Sequence, residues 1–253
     1  LRFSRISSVS HLESYDWISE IFNTITPLDF DPFLQFETSL QLFYRPKQKY
    51  YMEPKRKVIL GSKWPEFYAE YSQGVPNFAG SALNYTKLSF GFTQTITTGI
   101  MGESRYSFRA SQSFGDESEI FVASKSFIAS DRYFLQHPLN AYSLLDTTVF
   151  TRDLTLEGHY VHHFNGAIMN QIPLIKKLRL KIDVGASILY VEEQNLFHFE
   201  TFFGISKEYK VLGNRSKVGI YPVFKLGNTG EVFDTRIKIG FNQYFRDSRR
   251  WLW

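Results

Sequence analysis

Five ionisable side chains on two segments of the chain could carry out proton or metal chemistry if folding brings them together. Glu157, His159 and His163 fall at even spacing, and His198 and Glu200 are two residues apart. In an extended strand, residues separated by an even number lie on the same face. Imidazoles and carboxylates bind zinc, and histidine exchanges protons near neutral pH. The two groups therefore indicate either such a site or a set of polar side chains that line an interior.

The sequence lacks the features that usually accompany catalysis or metal binding. No Gly-x-Ser-x-Gly turn presents a serine nucleophile, and the chain contains no cysteine. On a strand, His159 and His163 are about 13 Å apart, too far to share one ion. We therefore predict no catalytic residue, no metal site and no cofactor. A hydrolytic triad assembled from separate strands remains an alternative.

Strands with one apolar and one polar face must position these residues. The pattern is clearest from Leu178 to Tyr190, where apolar residues take every second position and Arg179, Lys181 and Asp183 fall between them. Such period-two alternation marks a strand. A strand tilted by about 45° crosses a bilayer with about 9–11 residues. This segment is therefore long enough to cross a membrane.

The same alternation recurs along most of the chain and predicts about nine strands. The other eight lie near residues 34–44, 64–74, 87–96, 105–111, 154–164, 197–206, 217–224 and 233–245. Pro222 lies inside one of them, which predicts weakened pairing or a bulge. Residues 113–151 show no sustained alternation, so we expect a long loop there, with a short strand near residues 120–123.

The polar faces of these strands carry charges at many successive positions. They comprise Lys87, Arg105, Arg109, Glu157, His159, His163, Arg179, Lys181, Asp183, His198, Glu200, Arg236 and Lys238. The core of a small soluble sandwich or barrel could not absorb so many charges. We therefore predict that the apolar faces meet lipid and that the charged faces line an interior. There the charges either pair across strands or form a lumen that attracts anions.

The composition agrees with a membrane barrel. Aromatic residues make up 17% of the chain, yet hydrophobic residues make up only 43% and the mean hydropathy is −0.24. Membrane barrels combine aromatic girdles with a polar lumen. No apolar run reaches 18 residues, so any membrane crossing must use strands. The net charge of +4 comes from lysines and arginines spread along the chain, so we expect no nucleic-acid binding.

Two stretches of the chain resemble a known family of outer-membrane proteins. One runs from Pro54 to Pro65 and leads into Tyr68–Gly74, and the other joins His162–Asn165 to the Ile-Pro-Leu-Ile-Lys-Lys-Leu segment at 172–178. They resemble the C-terminal barrel of a family of unknown function whose longer members carry an N-terminal carboxypeptidase-regulatory-like domain. The resemblance covers most of the chain, over residues 33–245. It implies a location and an architecture, and it assigns no catalytic residues.

The resemblance and the alternation divide the chain into three parts. Residues 1–32 form an N-terminal segment with a helical stripe at 12–25, residues 33–245 hold the barrel strands, and residues 246–253 form a basic and aromatic tail. Barrel chains of this kind end on an aromatic residue that closes the last strand, a place that Phe245 takes. The chain starts without Met and shows no signal peptide, so we expect a processed or truncated chain.

We predict an antiparallel transmembrane β-barrel in the outer membrane of a Gram-negative bacterium. Its expected role is non-enzymatic, as a structural or accessory component of outer-membrane assembly, secretion or transport. The alternatives are a pore or binding barrel for anionic solutes or glycans, and a membrane-embedded hydrolase. Counting strands back from Phe245 puts the turn with Ile172, Pro173 and Leu174 on the periplasmic side. We expect this apolar turn to contact other outer-membrane or periplasmic subunits, while lipid surrounds the barrel.

Overall fold

The computed structural model shows an all-β protein. It describes residues 2–6, 33–54, 56–78, 80–81, 84–115, 125–127, 133–135, 137–145, 149–164, 166–211, 214–226 and 234–244. The helical stripe predicted at 12–25, the short strand near 120–123, Phe245 and the tail at 246–253 lie outside these residues.

Strands make up nearly all of the regular structure. They are β1 (Arg2–Ile6), β2 (Phe33–Tyr44), β3 (Lys49–Glu53), β4 (Arg56–Gly61), β5 (Glu66–Gly74), β6 (Tyr85–Thr97), β7 (Glu103–Gly115), β8 (Lys125–Phe127), β9 (Phe134–Leu135), β10 (Val149–Thr151), β11 (Thr155–His163), β12 (Leu180–Val191), β13 (Leu196–Val211), β14 (Asn214–Leu226) and β15 (Asp234–Tyr244). The described residues also form two 3₁₀ turns, Gly99–Met101 and Met169–Gln171, and one helical turn, α1 (Pro173–Lys176). No helix among them is long and apolar enough to cross a membrane.

Eleven strands of the described part form one large sheet. Its order is β1-β2-β5-β6-β7-β11-β12-β13-β14-β15-β9. All neighbours are antiparallel except β15 and β9, which pair in parallel. The nine strands predicted from the sequence are all present, as β2, β5, β6, β7 and β11 to β15. The all-β, antiparallel class is therefore confirmed.

The connection between β7 and β11 packs against one face of the large sheet. We call its described residues, 125–127, 133–135, 137–145 and 149–151, the inner loop. β8 pairs with β10, and β9 pairs with β15 at Ile239 and Gly240. Tyr142, Leu144 and Leu145 are buried at 2%, 0% and 4% exposure. The prediction of a loop at 113–151 needs correction at its start, because β7 continues to residue 115.

The outer face of the sheet is mainly apolar and exposed, whereas the inner face buries charged residues together with apolar ones such as Val161 and Leu189. The inner face packs against the inner loop, and the outer face lies opposite it. On the outer face, Ile237, Ile220 and Leu42 are 70%, 61% and 60% exposed. On the inner face, Lys238 and Glu200 are 0% and 1% exposed. Water-soluble proteins bury apolar side chains and expose charged ones, so this sheet is inverted in the way that the alternation indicates.

Pro222 weakens the pairing of β14 without shifting its register. β13 and β14 pair at Phe202–Val223 and again at Ile205–Ile220, and the two described residues of each strand between these pairs are not bridged. The other edge of β14 stays paired to β15 at Pro222. A proline has no N–H to donate. The predicted weakening is confirmed, and the unchanged register shows that no bulge forms.

Tyr221 lies over a row of glycines on the inner face. A Cβ atom built on Gly204, Gly219 or Gly240 would lie 2.0, 2.7 or 2.3 Å from the ring of Tyr221. These glycines belong to three adjacent strands, β13, β14 and β15. The Tyr221 hydroxyl donates a hydrogen bond to Oδ2 of Asp183 at 2.9 Å. The missing side chains therefore give the ring the space that it needs to reach this carboxylate.

We expect the Gly204→Ala variant to lower the free energy of unfolding by about 1–3 kcal/mol, because the new methyl group overlaps the Tyr221 ring. Gly158→Ala is the comparison, since its Cβ would meet a single atom, the γ2 methyl carbon of Ile188 at 2.8 Å, and no ring. Urea unfolding in detergent micelles measures both variants. Equal losses of stability would contradict the close packing of Tyr221 on Gly204.

Candidate functional site

The carboxylate of Glu200 fixes the inner loop to β13. Its two oxygens accept hydrogen bonds from the backbone N–H groups of Ser143 and Leu144, at 2.7 and 2.8 Å. Nε2 of His198 lies 3.1 Å from Oε2 of the same carboxylate. Both Glu200 and His198 are 1% exposed. A charge buried this deeply is stable only while its partners remain in place, so Glu200 and the loop hold each other.

We expect the Glu200→Ala variant to loosen the inner loop. Two buried N–H groups would lose their acceptor, at about 1–3 kcal/mol each. Hydrogen exchange at the amides of Ser143 and Leu144 should then accelerate by about tenfold or more. Glu192→Ala, in an exposed turn, is the control and should leave both amides protected. Unchanged exchange in Glu200→Ala would show that other contacts hold the loop.

Tyr142 of the inner loop lies between two histidines of the sheet. Its ring centroid is 4.9 Å from that of His159 and 5.6 Å from that of His198. Its hydroxyl donates a hydrogen bond to the carbonyl oxygen of Ile188 at 3.0 Å. Burial raises the pKa of Tyr142 well above its ordinary value, and two nearby carboxylates add to this effect. The phenol therefore stays protonated and keeps its role as a donor.

Glu157 of β11 binds two cations from different elements. Nζ of Lys125, in the inner loop, donates a hydrogen bond to Oε1, and a guanidinium nitrogen of Arg109 lies 3.9 Å from the same oxygen. Lys125 also donates to the hydroxyl of Ser111 at 2.9 Å, and Arg109 donates to the hydroxyl of Tyr68 at 2.5 Å. Burial lowers the pKa of Lys125, while the Glu157 carboxylate acts against this. This cluster attaches the loop to the sheet a second time.

Asp183 of β12 joins side chains from three other strands. Its Oδ1 lies 2.6 Å from Nδ1 of His163. Its Oδ2 lies 2.6 Å from Nζ of Lys217 and accepts hydrogen bonds from Ser206 and Tyr221, both at 2.9 Å. Asp183 is 2% exposed. Four donors from β11, β13 and β14 therefore meet at this one carboxylate.

Twelve of the thirteen charged or histidine residues predicted to face the interior lie on the inner face. Glu157, His159, Asp183, His198, Glu200 and Lys238 are buried there, and Lys87, Arg105, Arg109, His163, Lys181 and Arg236 are partly exposed. Arg179 is the exception and corrects the prediction. It is exposed in a turn, with φ of 52°, because β12 begins at Leu180 and not at Leu178.

Ion pairs neutralise part of this charge. Lys181 of β12 pairs with Glu208 of β13 at 2.7 Å. Arg105 and Arg236 pair with acidic residues two positions away on their own strands, at 2.5 and 2.9 Å. Partly exposed pairs of this kind contribute about 0–1 kcal/mol. These pairs therefore orient side chains on the inner face but add little to the free energy of unfolding.

The histidines do not assemble into one site. His163 pairs with Asp183, whereas His159 and His198 meet at Tyr142. Within the described ranges, no group of three or more His, Asp or Glu side chains is placed to hold a metal ion. The polar groups therefore form separate clusters along the contact between sheet and loop.

One protein family matches most of this chain. The family described as "Family of unknown function (DUF5686) C-terminal domain" matches residues 7–205. The chain belongs to this family. No curated protein and no solved structure matches it.

Membership of the DUF5686 family confirms one part of the resemblance, namely that the chain is the C-terminal domain of a family of unknown function. The match contains both stretches on which the resemblance was based, Pro54–Gly74 and His162–Leu178. It also contains the inner loop, Asp183 and Glu200. It ends at residue 205, so β14 and β15 lie beyond the matched part. The family has no assigned function, so membership adds no chemistry to the site.

Several residues of these clusters were not among those predicted, including Tyr221, Tyr142 and Lys125. Tyr221 is in phase with Lys217 and Gly219, so the alternation does place it on the polar face. Tyr142 and Lys125 belong to the inner loop, where the sequence has no periodicity that could have indicated them.

Proposed function

We propose that this chain is a transmembrane β-barrel of a Gram-negative outer membrane, plugged by its inner loop, with a non-enzymatic structural or accessory role in assembly, secretion or transport. The observation that carries the proposal is the inverted sheet. Exposed apolar side chains such as Ile237, Ile239 and Phe241 recur along the outer face, whereas Lys238 between them is buried. In water, so large an apolar surface would drive association. A bilayer would cover it.

The strand lengths support the same proposal. β6, β7 and β14 have 13 residues each, and β12 has 12. A tilted strand needs about 9–11 residues to cross the hydrocarbon core. Backbone groups in lipid must all be hydrogen-bonded, which a closed barrel achieves without helices.

The longest connection suggests the orientation of the barrel. Bacterial outer-membrane barrels have short periplasmic turns and longer outer loops. The inner loop, the longest connection between described strands of the large sheet from β2 onward, joins the ends of β7 and β11 that lie away from Tyr244. The Tyr244 end holds the short connections from β6 to β7 and from β13 to β14 together with the longer ones at 45–65 and 164–179. The proposal therefore puts Tyr244 on the periplasmic side. The register places the turn between β11 and β12 at the same end.

This turn is the proposed contact with a partner subunit. Ile168 and Ile172 are 40% and 43% exposed, and Pro173 is exposed beside them. The side chain of Leu174 lies outside the described part. We expect Ile172→Asp combined with Leu174→Asp to release co-purifying periplasmic or membrane subunits while the barrel stays folded. Asn170→Asp combined with Gln171→Asp is the control with the same added charge at exposed polar positions, and co-purification unchanged by the Ile172, Leu174 variant would contradict the assignment.

The hydrolase alternative has one observation in its favour, the His163–Asp183 pair. The same carboxylate is shared with Lys217, Ser206 and Tyr221, an arrangement that suits a structural centre. We therefore do not propose catalysis.

Membrane fractionation of the full-length protein tests the proposed function. We expect the protein in the outer-membrane fraction, resistant to alkaline extraction. We also expect the unheated protein to migrate differently from the heated protein in a denaturing gel, because a folded barrel resists the detergent. Recovery as a soluble monomer without detergent would contradict the proposal.

A further inference from the structure

Two cavities lie between the inner loop and the sheet. The larger, about 480 Å³, is bordered by β2, β5, β6 and β7 and by loop residues such as Lys125 and Thr151. The smaller, about 270 Å³, is bordered by β11 to β15 and by His137 and Leu139 of the loop. Burial lowers the pKa of His137, and nearby Arg105 adds to this effect.

The two cavities together cover most of the length of the strands. The larger one reaches Ser113, near the end of β7 from which the inner loop departs. The smaller one reaches Arg105, near the opposite end of β7, and His163, the last residue of β11. A solute in one cavity would thus be near one end of the sheet, and a solute in the other near the opposite end.

A narrow gap lies between the cavities. Its volume is about 10 Å³, close to the space that one water molecule needs. It shares Tyr68, Thr93 and Arg109 with the larger cavity and Leu139 with the smaller one. The hydroxyl of Ser107 donates a hydrogen bond to the carbonyl oxygen of Leu139 at 3.2 Å, which holds the loop backbone against β7.

One buried polar atom at the gap is placed to bind water. His159 lines it, is 6% exposed, and has an Nε2 atom without a hydrogen-bond partner among the described residues. A water molecule in the gap would satisfy this nitrogen. Asn140 and Ser107 also line the gap and could bind the same water.

Positive charge exceeds negative charge at the gap, where Arg109 and Lys125 share the carboxylate of Glu157. Elsewhere along the row the charges nearly balance. Arg105 pairs with Glu103 and Lys217 pairs with Asp183 in the smaller cavity, and acidic and basic residues alternate around the larger one. A low-dielectric passage with excess positive charge at its narrowest point attracts anions.

We propose that the two cavities form a path for small anions through the barrel, closed at the gap by Leu139 and Asn140 of the inner loop. This inference rests on the proposed function, since such a path has a use only in a barrel that spans a membrane. Strands of the sheet form the walls of the path. Leu139 and Asn140 belong to the inner loop, which is attached to the sheet through Glu200 and through Glu157.

Conductance in planar lipid bilayers tests the path. We expect small or rare conductance from the unmodified protein and a rise of roughly threefold or more from the double variant Leu139→Ala, Asn140→Ala, because it widens the narrowest point. In a salt gradient, the widened protein should prefer anions. Adding Arg109→Glu should reverse this preference, and Arg109→Gln should abolish it if the glutamate variant does not fold. Leu42→Ala, on the outer face, is the control and should leave conductance unchanged.

The outcomes separate the two proposals. Protein that inserts as a heat-resistant barrel but conducts equally with and without the widening overturns the path and leaves the proposed function intact. The proposed path is also overturned if replacing Arg109 in the widened protein does not change its preference for anions. Protein that never enters the bilayer overturns the proposed function and the path with it.

Discussion

The Asp183→Ala variant is expected to lower the free energy of unfolding by about 3–5 kcal/mol, the range found when one partner of a buried ion pair is removed. Lys217 would remain buried at 7% exposure without the carboxylate that lies 2.6 Å from its Nζ. Tyr221 and Ser206 would lose an acceptor. Because these donors come from neighbouring strands, the loss should appear in global unfolding, measured with urea in detergent micelles.

One further variant separates the charge of Asp183 from its shape, and another serves as the control. Asp183→Asn keeps an acceptor oxygen and should lose less stability than alanine. Glu208→Gln removes one partner of the partly exposed pair with Lys181 and should cost at most about 1 kcal/mol. A loss as small for Asp183→Ala as for Glu208→Gln would mean that this cluster does not hold the sheet together.

The Ile220→Arg variant is expected to lose about 2–4 kcal/mol of stability in lipid vesicles, the cost of arginine at the bilayer midplane of a barrel. Ile220 lies near the middle of β14 and is 61% exposed on the outer face. An exposed position in water would tolerate the same change within about 0.5 kcal/mol. Unfolding by urea in vesicles measures the difference.

Leu226→Arg is the depth control for this variant. Leu226 lies on the same face at the end of β14 and is 48% exposed. Near the interface, the cost of arginine should fall to about 0–1 kcal/mol. Equal and small losses at both positions would mean that the outer face of β14 meets water.

The sequence predicted the large sheet well because a strand with two different environments carries its own signal. The step of two residues in β12 and β13 assigns Asp183, His198 and Glu200 to the inner face, and the structure places them there. Six of the fifteen described strands escaped prediction. β8, β9 and β10 have only two or three residues each and β1 has five, too few to show a period. The β3–β4 hairpin keeps apolar residues exposed without alternation, as at Tyr50 and Tyr51.

The contacts of the inner loop could not be predicted from the sequence. Glu200 binds the backbone of Ser143 and Leu144, more than fifty residues away, and backbone N–H groups leave no mark in the side-chain pattern. Tyr142 is buried because it packs between histidines of two strands, a long-range arrangement without a local signal. The alternation therefore identified the residues on the inner face of the sheet but not the residues of the inner loop that pack against them.

Fluorescent labels on the two faces of β15 show which face of the strand meets lipid. Because the chain has no cysteine, a single Ile237→Cys or Arg236→Cys substitution places one fluorescent label on neighbouring residues of β15 that point to opposite faces. In vesicles of brominated lipid, we expect strong quenching of the label at position 237 and little quenching at position 236. Equal quenching at both positions, or none at position 237, would contradict a barrel whose apolar face lies against the membrane.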